Sequence, residues 1–145
     1  MPHGIVSPFQ SNSEAETLSW GQILASTLKP GDCLALHGNL GAGKTALCRG
    51  ICTGLGFEGH VHSPSYALVH EYPNTPPLFH LDLYRLNTSA DLLEIGVEHY
   101  AMSQGITMIE WPERLQDHSI VTHEITLKHT GEHGRLISLT LLRNL

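Results

Sequence analysis

The stretch Gly38-Asn39-Leu40-Gly41-Ala42-Gly43-Lys44-Thr45 fits the P-loop pattern G-x-x-x-x-G-K-[ST]. Glycines at 38, 41 and 43 allow backbone angles that a Cβ forbids. Successive N–H groups then turn inward and form a nest for phosphate oxygens. A lysine at position 44 reaches phosphates as a point charge, and a threonine hydroxyl at 45 suits magnesium. The pattern needs a strand before it and a helix after it. Cys33-Leu34-Ala35-Leu36 is a short apolar run behind a Pro30-Gly31 turn signal. Behind the loop, Leu47, Ile51 and Leu55 recur every four residues. Strand, phosphate loop and helix in that order predict an α/β fold.

The bulk of the chain agrees. With 145 residues, 41% of them hydrophobic and 15% charged, residues 1–145 read as a single soluble P-loop domain. No apolar run reaches membrane-spanning length. Met1-Pro2-His3-Gly4-Ile5 lacks a basic segment and a long apolar run, so no signal peptide is expected. Three cysteines, Cys33, Cys48 and Cys52, suit reduced thiols in the cytoplasm. The net charge is −6, and the eight Lys and Arg residues are scattered. A protein that holds nucleic acid by itself shows a basic stripe; here any contact with RNA is expected to run through a partner. The eleven histidines lack the closed spacing of a zinc site. Cys48 and Cys52, one helical turn apart, read as a core face.

Along the chain, Ile5 and Val6 suggest a first strand. Ser13 and Glu16 fit a capping box, opening a helix to about residue 29 with Leu18, Ile23, Leu24 and Leu28 on its apolar face. The loop helix spans about residues 44–55. Residues 67–72 and 78–84 read as an antiparallel hairpin across the Pro-rich turn 73–77. Residues 88–103 read as one or two short helices broken near Gly96, capped by Thr88 or Ser89. Residues 106–110 form an apolar strand ending in an acid, and residues 111–115 a loop. Residues 123–128 and 136–142 form a closing hairpin around 130–134. The sum is a three-layer P-loop NTPase-like domain, with a mostly parallel central sheet and antiparallel edge hairpins.

Use of Mg²⁺ at such a loop needs a carboxylate at the end of a neighbouring strand. Asp82 and Glu110 both end apolar runs, one suited to the metal and one to the attacking water; spacing alone does not rank them. Between the loop helix and the next strand, Ser63-Pro64-Ser65 offers the Ser65 hydroxyl where P-loop switches sense a γ-phosphate.

These residues together resemble the TsaE (YjeE) family, the small bacterial ATPases of tRNA threonylcarbamoyladenosine biosynthesis. The resemblance is carried by the loop, by Ser63-Pro64-Ser65-Tyr66 leading to Leu68-Val69-His70-Glu71-Tyr72, and by His80-Leu81-Asp82-Leu83-Tyr84-Arg85-Leu86. It continues through Glu94-Ile95-Gly96 and Ile109-Glu110-Trp111-Pro112-Glu113-Arg114. The last two long strings are more diagnostic than the loop. The resemblance implies ATP and Mg²⁺ as cofactors. Gly38, Asn39, Leu40, Gly41, Ala42, Gly43, Lys44, Thr45 and Ala46 would hold phosphates. Thr45 and Glu110 would hold the metal, with Asp82, Glu110, Lys44 and Ser65 as the catalytic set. It also puts Glu14 and the pair Gly134 and Arg135 near base and ribose, and Trp111 beside the site. The chain departs from the family pattern at Ala46 and Ala67, where a threonine is usual.

The family further implies an ATPase subunit acting on the threonylcarbamoyl transferase (TsaD-like) and its paralogous partner (TsaB-like), with tRNA held through that complex and no membrane role. With five arginines in the chain, activity is expected to be weak alone and stimulated by partners. Two other readings share the loop: a small kinase of a metabolite or nucleotide, and a module that binds nucleotide without cleaving it. Phosphate release, transfer to an acceptor, or no cleavage separates the three.

Overall fold

The computed structural model describes residues 4–39, 41–61, 69–84, 96–101, 103–115 and 117–142. Among them seven strands form one sheet: β1 (Phe9–Ser11), β2 (Cys33–His37), β3 (Val69–Tyr72), β4 (Leu78–Asp82), β5 (Ile106–Glu110), β6 (His123–His129) and β7 (Arg135–Leu141). Their order is β1-β7-β6-β2-β5-β4-β3. The four inner strands, β6, β2, β5 and β4, run parallel. β3 pairs antiparallel with β4 at one edge, and β7 and β1 close the other edge antiparallel. The expected parallel centre with antiparallel edge hairpins is present.

Side-chain alternation sorts the core into two faces. Leu34, Leu36, Ile106, Met108, Ile125 and Leu127 pack with Trp20, Leu24, Leu47, Cys48, Ile51 and Cys52 of the helices α1 (Glu14–Ala25) and α2 (Lys44–Gly54). Cys33, Ala35, Leu81 and Ile109 point the other way, toward Val97 and Ala101 of the short helix α3 (Val97–Ala101). The result is three layers, with strand β2 buried on both sides as an inner parallel strand requires.

Helix α1 starts as its capping box dictates. Ser13 Oγ accepts from the Glu16 N–H at 3.1 Å, and Glu16 Oε2 accepts from the Asn12 N–H at 3.2 Å. The two helices approach closely through small residues. A Cβ at Gly21 would stand 2.8 Å from the Leu47 carbonyl oxygen, and one at Gly50 would collide with the Leu18 carbonyl.

Helix α1 ends at Ala25, not near residue 29 as expected, and four further local expectations need correction. The first strand is Phe9–Ser11, paired with β7, while Ile5 is buried in the core and Val6 is exposed. Ile23 faces out, because the buried stripe of α1 runs through Thr17, Trp20, Gly21, Leu24 and Ala25. Strand β4 stops at Asp82, whose carboxylate accepts from the Tyr84 N–H at 2.9 Å, short of the expected end at Tyr84. Residues 112–114, expected as loop, form a 3-10 turn behind Trp111. The caps proposed at Thr88 and Ser89 lie outside the described residues, and α3 follows directly on Gly96, whose φ is +70°.

Candidate functional site

The sheet order places the loop at a topological switch. β5 and β6 flank β2 on opposite sides, so the chain crosses over β2 between them. Ligands of open α/β sheets bind at the carboxyl ends of the strands beside such a crossing. Gly41 and Gly43 take φ of +78° and +97°, which L side chains rarely adopt. Gly38 is required for a different reason: a Cβ there would stand 3.1 Å from both Ala42 Cβ and the Leu127 carbonyl oxygen. Helix α2 begins with no side-chain cap at Gly43. Its first N–H groups take no side-chain cap from that residue, and the positive end of the helix dipole stands behind them. Thr45 is the second residue of that helix and Ala46, largely buried, the third.

Lys44 lies across the mouth of the loop. Its Nζ donates to the Gly38 carbonyl at 2.7 Å and sits 4.0 Å from the centroid of the Trp111 ring. Burial lowers the Lys44 pKa, and the carboxylates of Glu110, Asp82 and Glu113 pull it back up. Trp111 is held at φ 58°, the left-handed region that a bulky residue avoids. Its ring lies over the lysine, and the Tyr84 ring packs tilted against it at 4.7 Å between centroids.

The two acids are neighbours. Asp82 and Glu110 pair in register at the ends of β4 and β5, and Glu110 in turn pairs with Leu36 of β2. Glu110 therefore ends the strand next to the loop strand, and Asp82 the strand beyond it. Burial raises the Asp82 pKa; the Tyr84 N–H opposes the shift, the Glu110 charge adds to it, and Lys44 opposes it.

Sequence reasoning missed what stands behind Glu110. His80 is fully buried, and its Nε2 is hydrogen-bonded to Glu110 Oε2 at 2.6 Å. Tyr72 Oη lies 3.5 Å from His80 Nδ1 on the other side. Cys48 Sγ lies 3.5 Å from His80 Nε2, and burial pushes its thiol pKa well above the usual value. These sulfur, nitrogen and oxygen donors fall within 4.8 Å of one another. The 2.6 Å separation is a hydrogen bond; two ligands around one tetrahedral zinc ion stand roughly 3.3 Å apart. Alternation puts His80 on the strand face of Asp82, and Cys48 lies one turn after Lys44, but no sequence spacing brings the two together.

The other expected residues are placed as follows. Glu14 is the first residue of α1, and its Oε1 accepts from Arg49 Nη1 at 3.1 Å on the surface. Arg135 reaches the loop itself: Nε donates to the Ala42 carbonyl at 3.1 Å and Nη2 to the Gly41 carbonyl at 3.0 Å. Gly134 precedes it at the start of β7, and Asn39 bonds within the loop through its carbonyl to the Ala42 N–H at 3.0 Å. Leu40, Ser65 and the rest of the Ser-Pro-Ser string, Ala67, Arg85, Glu94 and Ile95 lie outside the described residues.

The family model of the threonylcarbamoyl adenosine biosynthesis protein TsaE matches residues 11–137. A Synechocystis protein named tRNA threonylcarbamoyladenosine biosynthesis protein TsaE is 47% identical over 104 residues, covering 68% of this chain and 66% of its own length. Its Bacillus subtilis namesake is 34% identical over 131 residues, covering 89% of this chain and 82% of its own. The Rickettsia bellii namesake is 38% identical over 134 residues, covering 89% and 91%. Among solved structures, that of Bacillus subtilis YdiB superposes with a TM-score of 0.77 at 29% identity, over 93% of this chain and 84% of that one. The chain belongs to the TsaE family of threonylcarbamoyl adenosine biosynthesis proteins.

Proposed function

We propose that residues 1–145 form a single P-loop ATPase domain working in the cytoplasm in tRNA threonylcarbamoyladenosine biosynthesis. It acts on the complex of a TsaD-like threonylcarbamoyl transferase and its TsaB-like paralogue, and meets tRNA only through that complex. The observation that carries the reading is the position of Lys44. Its ammonium bonds the loop carbonyl of Gly38 and feels the charges of Glu110, which ends the strand beside the loop strand, and of Asp82, which ends the next strand out.

The residues present fit ATP with Mg²⁺. Two glycines at positive φ and an uncapped helix start supply inward N–H groups. Thr45 and Glu110 supply hard oxygen ligands of the kind magnesium takes. When bound, the pair supplies a γ-phosphoryl group whose oxygens are partly neutralised. Lys44 would exchange its Gly38 carbonyl for phosphate oxygens. Asp82 would orient the attacking water, and Ser65 would serve as the hydroxyl that responds to the γ-phosphate. Glu14, Gly134 and Arg135 are assigned to the nucleoside side by family position. Among the described residues, Arg49 pairs with Glu14 and Arg135 lies on the loop carbonyls. We expect weak activity alone and a stimulus from the partners, as where an arginine is supplied in trans.

The test is phosphate release from ATP, measured with and without the two partner proteins, for the wild type and Glu110→Ala. The expected result is partner-stimulated release that Glu110→Ala abolishes while some nucleotide binding survives. Near-wild-type turnover by Glu110→Ala removes that residue from the mechanism. Transfer of the phosphoryl group to an acceptor would mark a kinase, and absence of cleavage in the complex a binding module.

A further inference from the structure

The guanidinium of Arg135 makes four hydrogen bonds, all to main-chain carbonyls. Nε and Nη2 take Ala42 and Gly41 of the phosphate loop, at 3.1 and 3.0 Å. Nη1 takes Gly134 at 2.8 Å and Glu132 at 3.3 Å in the turn between β6 and β7. That turn is itself anchored. The Gly134 carbonyl also accepts from the Thr130 N–H at 3.0 Å, and Thr130 Oγ1 accepts from Gln10 Nε2 of β1 at 2.8 Å. A side chain at Gly134 would collide with Thr130 Oγ1.

We infer that Arg135 is a positioning residue that sets the phosphate nest from its outer face. In a trans peptide the carbonyl and the N–H point in opposite directions. Holding the Ala42 carbonyl outward therefore aims the Gly43 N–H inward. Holding the Gly41 carbonyl outward aims the Ala42 N–H inward, where it closes on the Asn39 carbonyl. Peptides flanked by glycine flip easily, because both φ signs are open to glycine. A flipped 42–43 peptide would present a carbonyl oxygen to a phosphate and repel it. The planar fork of arginine spans two adjacent carbonyls; a lysine ammonium keeps the charge but not the fork. The same contacts tie the nest to the turn at 130–134.

This inference rests on the loop binding phosphate, and it differs from a direct contact between Arg135 and base or ribose. Inorganic tripolyphosphate, which has neither, separates the two. Its affinity and that of ATP are measured by calorimetry for the wild type, Arg135→Lys and Arg135→Ala. The expected result is a loss on the order of ten- to a hundredfold for both ligands in Arg135→Ala. A loss of the same sign is expected in Arg135→Lys, where the charge remains. Tripolyphosphate binding that Arg135→Lys leaves intact overturns the inference. So does a loss confined to ATP, which would assign Arg135 to the nucleoside. Failure of the wild type to bind either ligand removes the phosphate reading itself. One measurement needs no variant: in the ligand-free wild type, the Arg135 Nε–H is expected to exchange with water more slowly than an exposed arginine. Exchange at the exposed rate overturns the clamp.

Discussion

Asp82 and Glu110 end neighbouring strands in the same register, yet they sit in different surroundings. Glu110 is buried against His80, whereas Asp82 is half-buried and bonded to the Tyr84 N–H. The Asp82 pKa is raised above 3.8, chiefly by burial. A carboxyl that holds its proton more tightly when folded costs stability as pH rises from 3.8 through its folded pKa, and the full cost remains above that. Asp82→Asn keeps the oxygen facing Tyr84 and removes the charge. It should raise the thermal midpoint of the ligand-free protein at pH 7 by about a few degrees, with the gap closing as pH falls toward 4, while partner-stimulated hydrolysis is lost. Melting curves at the two pH values check this. A lower midpoint at pH 7 would mean that attraction to Lys44 outweighs burial. Stability lost to a charge that function needs is the usual trade at active sites. These acids and Lys44 were legible in the sequence, because a P-loop and two strand ends define where such groups stand. His80 and Cys48 were not. Alternation gives the face a side chain takes, but which helix residue meets it across the layer is settled by packing.

At the level of elements, the α1–α2 contact carries the loop helix, and glycines set its distance. A Cβ at Gly54 would come 2.6 Å from Ala25 Cβ and 2.9 Å from the Gln22 carbonyl oxygen; Gly50 faces the Leu18 carbonyl still more closely. Helix propensity alone makes Gly→Ala favourable by about 1 kcal/mol. The obstacle at Gly50 is main chain, which yields only if a helix moves, and overpacking of that kind costs roughly 1–3 kcal/mol. Gly50→Ala should therefore destabilise the protein in a denaturant titration, against its propensity; a stabilised variant would show that the helices have slack. The same contact explains what the sequence hid. Helix α1 was legible from its capping box, but the buried stripe runs through Thr17 and Gly21, small residues that apolar periodicity passes over. Strand β1 was equally hidden. Phe9-Gln10-Ser11 is too short to show alternation and becomes a strand only because β7 presents an open edge beside it.

For the whole molecule, charge restricts what the surface can hold. The chain has fourteen acidic residues against eight Lys and Arg. Of the basic ones, Lys44 is buried at the loop and Arg135 lies on the loop carbonyls. Arg49 is paired with Glu14. Binding to a nucleic-acid backbone draws its affinity from lysines and arginines that replace condensed counterions, and a net charge of −6 works against it. On the proposed function, the part in tRNA modification is expected to be exercised through proteins that hold the tRNA. The isolated chain should bind tRNA more weakly than about 10⁻⁴ M at physiological salt, the weak end of non-specific binding. With the two partner proteins present, tRNA should be retained at an affinity that depends on salt with the slope of the partners alone. Equilibrium titrations of labelled tRNA at several salt concentrations, with and without this chain, decide the matter. A steeper slope when the chain is added would place some of its cations on phosphate, and the partner-mediated reading would fall.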